Sequence, residues 1–133
     1  MIGSRYAYRV STSEPTVFEL IVAREIPAEI VFENERLIAF RDIKPKAPVH
    51  LLVVPKSSEY ANVAELAEGD PYLLAEIVTT AAELAAEHSN GEYRLVFNSG
   101  ESAGQTVFHV HAHMLSGSSN GSGTLDESSL GFE

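Results

Sequence analysis

The sequence predicts an α+β fold: an antiparallel sheet with one long helix and one or two short ones. Three observations carry this. Strand-type and helix-type runs mix without the strict βαβ alternation that marks a parallel sheet. "VHLLVVP", Val49 to Pro55, is a nearly continuous apolar run, so it reads as a central strand covered on both faces. "GDPYLLAEIVTTAAELAAEHSNG" is the clearest helix, with Asp70 as its cap, Pro71 at the first helical position and Gly91 as its stop. Leu74, Ile77, Val78, Ala81, Leu84 and Ala85 form its apolar stripe.

The other elements follow in chain order. Residues 1–15 are polar and mixed, a loose arm with room for one short strand. Thr16 to Pro27 carries Val17, Phe18, Ile21 and Val22 at helical spacing, and Pro27 ends this short helix. Ala28 to Ile43 contains two β-type runs joined at Glu33-Asn34-Glu35, a hairpin. "KPKAP", Lys44 to Pro48, is loop, because its prolines cannot serve a ladder. Glu92 to Asn98 alternates as a strand, "SGESAG" is a loop, and Thr106 to Leu115 is the last strong strand. From Ser116 onward the chain is rich in Gly, Ser and acids, a flexible tail. The expected organisation is an arm over 1–15, one folded domain over 16–115 and a tail over 116–133, with no internal repeat.

Composition narrows the function. A chain of 133 residues, 44% of them hydrophobic, suits one domain with a real core. It has no cysteine, which removes disulfides, zinc fingers and thiol nucleophiles. No apolar run approaches a membrane span, and the N-terminus lacks a signal-peptide core, so a cytoplasmic protein is expected. The net charge of −10 argues against nucleic acid as partner, since that binding runs on clustered Lys and Arg. A small anionic ligand stays open, because a few backbone N–H groups can hold one phosphate in an acidic protein.

"GQTVFHVHAHML", Gly104 to Leu115, holds three of the five histidines at alternate positions: His109, His111 and His113. In a strand these share one face, while Phe108, Val110, Ala112 and Met114 take the other, the core. A three-histidine metal centre fits poorly. On a straight strand the outer pair lies ~13 Å apart at about 3.3 Å per residue, whereas zinc wants its nitrogens at ~2.0–2.1 Å in a tetrahedron. A two-histidine site completed by His50 or a carboxylate stays a minority reading. Catalysis suits the row better. A neutral imidazole can attack phosphorus or an acyl carbon, a second can move a proton, and a carbonyl or third ring can hold the far nitrogen. The preceding "SAGQT" offers small residues, N–H donors and a hydroxyl suited to phosphoryl oxygens. Taken alone, His50 reads as a core histidine, Asp42 as a turn residue, and Phe18 and Ile21 as core. His88 reads as a surface residue favourable to the helix dipole.

"HVHAHML" resembles the signature of the histidine triad (HIT) family. The likeness runs from about Val17 to Leu115 and includes "RDIKPKAPVHLLVVPK" and "NSGESAGQT", in the style of the purine nucleoside phosphoramidase branch. The resemblance implies a homodimer whose two antiparallel sheets join into one. It implies a purine nucleoside monophosphate pocket and hydrolysis of a phosphoramidate bond, with no metal or other cofactor. By resemblance, His111 is the nucleophile that forms a nucleotidyl-histidine intermediate. His113 contacts the phosphate and helps proton transfer, His109 orients His111 through its carbonyl, and His50 supports the site. Gly104, Gln105 and Thr106 match the phosphate-binding turn, Asn98 a polar contact, and Asp42 a ribose acceptor. Ile43, Phe18, Ile21 and Phe40 match the walls of the base pocket. Dinucleoside polyphosphate hydrolysis, nucleotidyl transfer and non-catalytic nucleotide or partner binding are the alternatives.

Three stretches depart from the family pattern. "TVFELI" lacks the cysteines with which some members bind structural zinc. "PKSS" stands where relatives often read Pro-Lys-Lys-His or Pro-Lys-Arg-His. The tail "SGSSNGSG" replaces a Trp-Pro-Pro-Gly-like ending, and the chain has no tryptophan. The tail leaves leaving-group specificity open.

Overall fold

The computed structural model describes residues 14–117 and Leu125. The expected arm up to residue 13, and the expected tail from residue 118 onward apart from Leu125, lie outside the described residues. Five strands form one antiparallel sheet in the order β1-β2-β3-β5-β4. They are β1 Ile30–Glu33, β2 Leu37–Arg41, β3 Val49–Pro55, β4 Arg94–Val96 and β5 Ala112–Ser116. Three α-helices accompany them: α1 Val17–Val22, α2 Val63–Gly69 and α3 Pro71–His88. Among the described residues, no helix is long and apolar enough to cross a membrane.

Helix α1 begins in a capping box. The Thr16 side chain accepts from Glu19 N, and the Glu19 side chain accepts from Thr16 N. It ends at Val22, well before Pro27, because Arg24 adopts a left-handed conformation with φ 65°. Arg24 N then donates to Ile21 O and Glu25 N to Leu20 O, the two bonds of a Schellman stop. Glycine is the usual residue there. Arg24 offsets the strain by donating its guanidinium to the carbonyls of Ile21 and Val22 and pairing with Glu33.

The hairpin forms as expected, with Asn34 Oδ1 accepting from Arg36 N at 3.0 Å and Leu37 N at 2.8 Å. All of β3 is buried. One face of the sheet gathers Leu37, Ala39, Leu51, Val53, Ala112 and Met114 under α2 and α3. The other gathers Ile38, Phe40, Leu52 and Val54 under Phe18 and Ile21 of α1. The alternation along β2 and β3 therefore feeds two cores, which is why these strands read as unbroken apolar runs.

Three expectations need correction. The buried stripe of α3 is Leu73, Ile77, Thr80, Ala81, Leu84 and Ala85. Leu74 is only partly buried and Val78 is exposed, so the inward face is rotated towards Leu73. Helix α2 was not anticipated; Asn62 caps it by accepting from Glu65 N at 2.9 Å. The last strand is shorter than Thr106 to Leu115. Pairing with β3 begins only at Ala112, opposite Val53. Pro55 has no N–H to extend the ladder, and its carbonyl is taken instead by the His109 ring at 2.7 Å. The chain bends through Val107–His109, and Phe108 is 49% exposed rather than in the core.

Candidate active site

His113 lies on β5 and His50 on β3, while His109 and His111 sit in the bent segment that feeds β5. The inward positions Val110, Ala112 and Met114 keep the alternation alive by anchoring in the core. The imidazoles therefore still gather on one side, the side of α1. The Phe18 ring is 5.4 Å from His109 and 4.9 Å from His111, centre to centre. His111 is 5.1 Å from His113, which is 5.2 Å from His50.

Hydrogen bonds fix the tautomers. Lys46 N donates to His50 Nδ1 at 3.0 Å, so the hydrogen of neutral His50 sits on Nε2. That nitrogen is 3.0 Å from His113 Nδ1 and donates to it, which leaves the His113 hydrogen on Nε2. His111 Nδ1 is 2.9 Å from His109 O. A carbonyl only accepts, so Nδ1 carries the hydrogen and Nε2 of His111 presents a lone pair. Burial pushes the His111 pKa below the ordinary value for imidazole, outweighing the hydrogen bond to His109 O and the charge of Asp42. Burial, then the neighbouring His111 and His50, push His113 down to about 3. Burial also lowers His50, against the pull of Asp42. The cluster is thus held neutral, the state a nucleophilic imidazole requires.

The other expected residues divide into two groups. Phe18, Ile21 and Phe40 are buried, with Phe18 and Phe40 rings 5.8 Å apart, so they form one apolar wall beside the histidines. Ile43 is 85% exposed at the rim. Asp42 accepts from Lys44 N at 2.8 Å through one oxygen and lies 3.5 Å from His50 Nε2 through the other. Gly104 closes a 3₁₀ turn at Glu101–Ala103 with φ 96°, a conformation that favours glycine. Gln105 faces inward: its amide donates to Ala61 O and Val107 O and accepts from Gly100 N. Its side chain braces the turn. Thr106 is exposed. Asn98 Nδ2 is buried and, among the described residues, has no hydrogen-bond partner. His88 Nδ1 is 3.5 Å from the Arg41 guanidinium, at the end of α3.

Asp42, His50 and His113 form a cluster whose ligand-type atoms lie within 4.8 Å of one another, a spacing compatible with a cation. The tautomer opposes it, because the Lys46 N–H leaves the His50 hydrogen on the nitrogen that faces the other two. A metal there would have to break that loop contact. Sequence reasoning missed Thr16, Glu19 and Ser58, which are bonded to the cluster's edge. The Thr-x-x-Glu spacing of a capping box was visible, whereas Ser58 stood out only as part of "PKSS", with no signal linking it to Glu19.

The five-stranded antiparallel sheet with its three helices is an α+β arrangement shared with solved structures. One is a HIT family hydrolase from Legionella pneumophila, 44% identical, covering 77% of this chain and 93% of its own, with a TM-score of 0.73. The family model described as scavenger mRNA decapping enzyme C-term binding matches residues 15–128. A HIT-like protein of Synechococcus elongatus is 46% identical over 108 residues, 80% of this chain and 94% of that one. The purine nucleoside phosphoramidase of Escherichia coli is 37% identical over 107 residues, 79% of this chain and 89% of that one. The chain belongs to the histidine triad family.

Proposed function

We propose that the protein is a hydrolase of nucleoside 5′-phosphoramidates, working through a covalent nucleotidyl group on His111. The observation that carries this is the fixed His111 tautomer: Nδ1–H on the His109 carbonyl, Nε2 with its lone pair, in a ring held neutral by burial. The similarity to a purine nucleoside phosphoramidase supports the substrate class.

In the first step, His111 Nε2 attacks the α-phosphorus and the P–N bond breaks, releasing the amine. His113, with its hydrogen on Nε2, contacts the phosphoryl group and assists the proton transfer to the departing nitrogen. In the second step water attacks the same phosphorus, nucleoside monophosphate leaves, and His111 Nε2 regains its lone pair. Over both steps one water supplies the new P–O bond and the proton on the amine. His109 orients His111, and His50 holds His113. The turn at Gly104, Gln105 and Thr106 and the side chain of Asn98 hold the phosphate. Asp42 accepts from the ribose, and Phe18, Ile21, Phe40 and Ile43 flank a purine. The reading includes a homodimer joined through the edge strand β4.

The test is turnover of a fluorogenic adenosine phosphoramidate by the wild type and by His111→Ala, each with and without EDTA. Turnover that survives chelation and is lost in the variant is expected. Undiminished activity in His111→Ala would sink the assignment. Cleavage of diadenosine polyphosphates alone would move the chain to another activity of the family.

A further inference from the structure

A closed path of hydrogen bonds ties the start of α1 to the histidine cluster. Thr16 Oγ1 lies 2.6 Å from His109 Nδ1 and accepts from Glu19 N at 3.1 Å. Glu19 Oε1 accepts from Thr16 N at 2.9 Å, and its Oε2 accepts from Ser58 Oγ at 2.9 Å. On the far side of the ring, His109 Nε2 reaches Pro55 O at 2.7 Å, three residues before Ser58. The end of β3 is therefore linked to α1 twice, once through His109 and once through Ser58.

The chemistry of this path has one sense. Pro55 O can only accept, so His109 carries its hydrogen on Nε2. With the ring in its neutral form, the Thr16 hydroxyl donates to Nδ1 while its lone pairs take Glu19 N. His109 is fully buried, so a lost partner there would leave a polar nitrogen without solvent. The carbonyl of the same residue receives His111 Nδ1–H.

We infer that Thr16 is a positioning residue for His111: its hydroxyl, held by Glu19, whose carboxylate Ser58 in turn anchors, fixes the His109 ring and, through it, the carbonyl that sets the His111 tautomer. Thr16 also caps the helix whose Phe18 ring lies against both histidines, so one residue aligns the apolar wall with the attacking nitrogen. The catalytic consequence rests on the reading of His111 as nucleophile; the structural one does not.

Three variants of the full chain separate capping from positioning. Thr16→Ser keeps both the cap and the hydroxyl. Thr16→Asp keeps the cap but can only accept, so it removes the donor to His109 Nδ1. Ser58→Ala leaves Thr16 in place and loosens its support, and it serves if the Asp variant does not fold. The readouts are the histidine ring nitrogen NMR signals, the melting temperature, and kcat and KM on the adenosine phosphoramidate. Thr16→Ser is expected to match the wild type. Thr16→Asp is expected to shift the His109 ring signals, weaken the Nδ1–H form of His111, and lower kcat by about 10- to 100-fold with a smaller change in KM. Ser58→Ala is expected to move the same signals less. Unchanged His109 and His111 signals in Thr16→Asp, or in Ser58→Ala should the former not fold, would overturn the inference. So would equal kcat for the Ser and Asp variants of an active enzyme. A wild type that shows no turnover refutes the functional reading instead, and the ring signals still decide whether Thr16 positions His111.

Discussion

At the scale of the residue, three side chains of one chemical type acquire different states from their partners. His111 is held with its Nδ1 hydrogen on a carbonyl, His113 accepts from His50, and His109 bridges Thr16 and Pro55. Because burial lowers the His111 pKa, protonation of the nucleophile requires more acid than for a free imidazole. The acid limb of kcat/KM is therefore expected to fall below pH ~6.5, the ordinary histidine value. A limb centred above that value would contradict a buried neutral nucleophile. The sequence showed which side the histidines share, since alternation is a backbone property. It did not show the tautomers, which depend on Lys46, in the loop before His50, and on Thr16 and Pro55, distant in sequence from His109 and ordinary in type.

Among the elements, the informative failure is the last strand. Its apolar alternation continues back to Thr106, yet the ladder stops at Ala112, opposite Val53, because continuing the register would set Val110 against Pro55, which has no N–H to give. The bend thus created carries His109 off the sheet and gives its ring access to both Pro55 O and Thr16. Gly104, just upstream, holds φ 96°. Gly104→Ala is expected to destabilise the fold by about 1–3 kcal/mol and to weaken nucleotide binding, measured by denaturation and by titration with adenosine monophosphate. Helix α2 is not legible in the sequence because it is only seven residues long, too short to display a helical period. Asn62→Ala removes its cap and is expected to cost about 1 kcal/mol in denaturant unfolding, with the site's turnover retained. The long helix α3 was legible throughout; only its inward face was misplaced, since Leu73 and Leu74 satisfy the period almost equally well.

For the molecule as a whole, the sheet separates two tasks. One face packs on α2 and α3 and supplies rigidity; the other meets α1 and holds the histidines. Leu51, fully buried at the centre, is expected to lose about 2–5 kcal/mol of stability as Leu51→Ala, read by thermal or denaturant unfolding. The neutral cluster also sets a pH dependence for the entire fold. The unfolded chain protonates these histidines near pH ~6.5, whereas folded His113 resists until about 3. Between those values the unfolded state binds more protons, so stability is present above the unfolded pKa and declines as the pH falls. His113→Asn is expected to flatten that decline in a series of unfolding curves. The two-core layout was readable from β2 and β3, whose unbroken apolar runs require cover on both faces. The assembly of a site between them was not, because it depends on where α1 docks.

The claim at the centre is double displacement at phosphorus by His111. The stereochemical course on a phosphoramidate made chiral with sulfur, hydrolysed in water labelled with a heavy oxygen isotope so that the thiophosphate product is chiral at phosphorus, tests it directly. Two successive in-line attacks, by His111 and then by water, give net retention of configuration. Net inversion, the mark of a single attack by water, would contradict it.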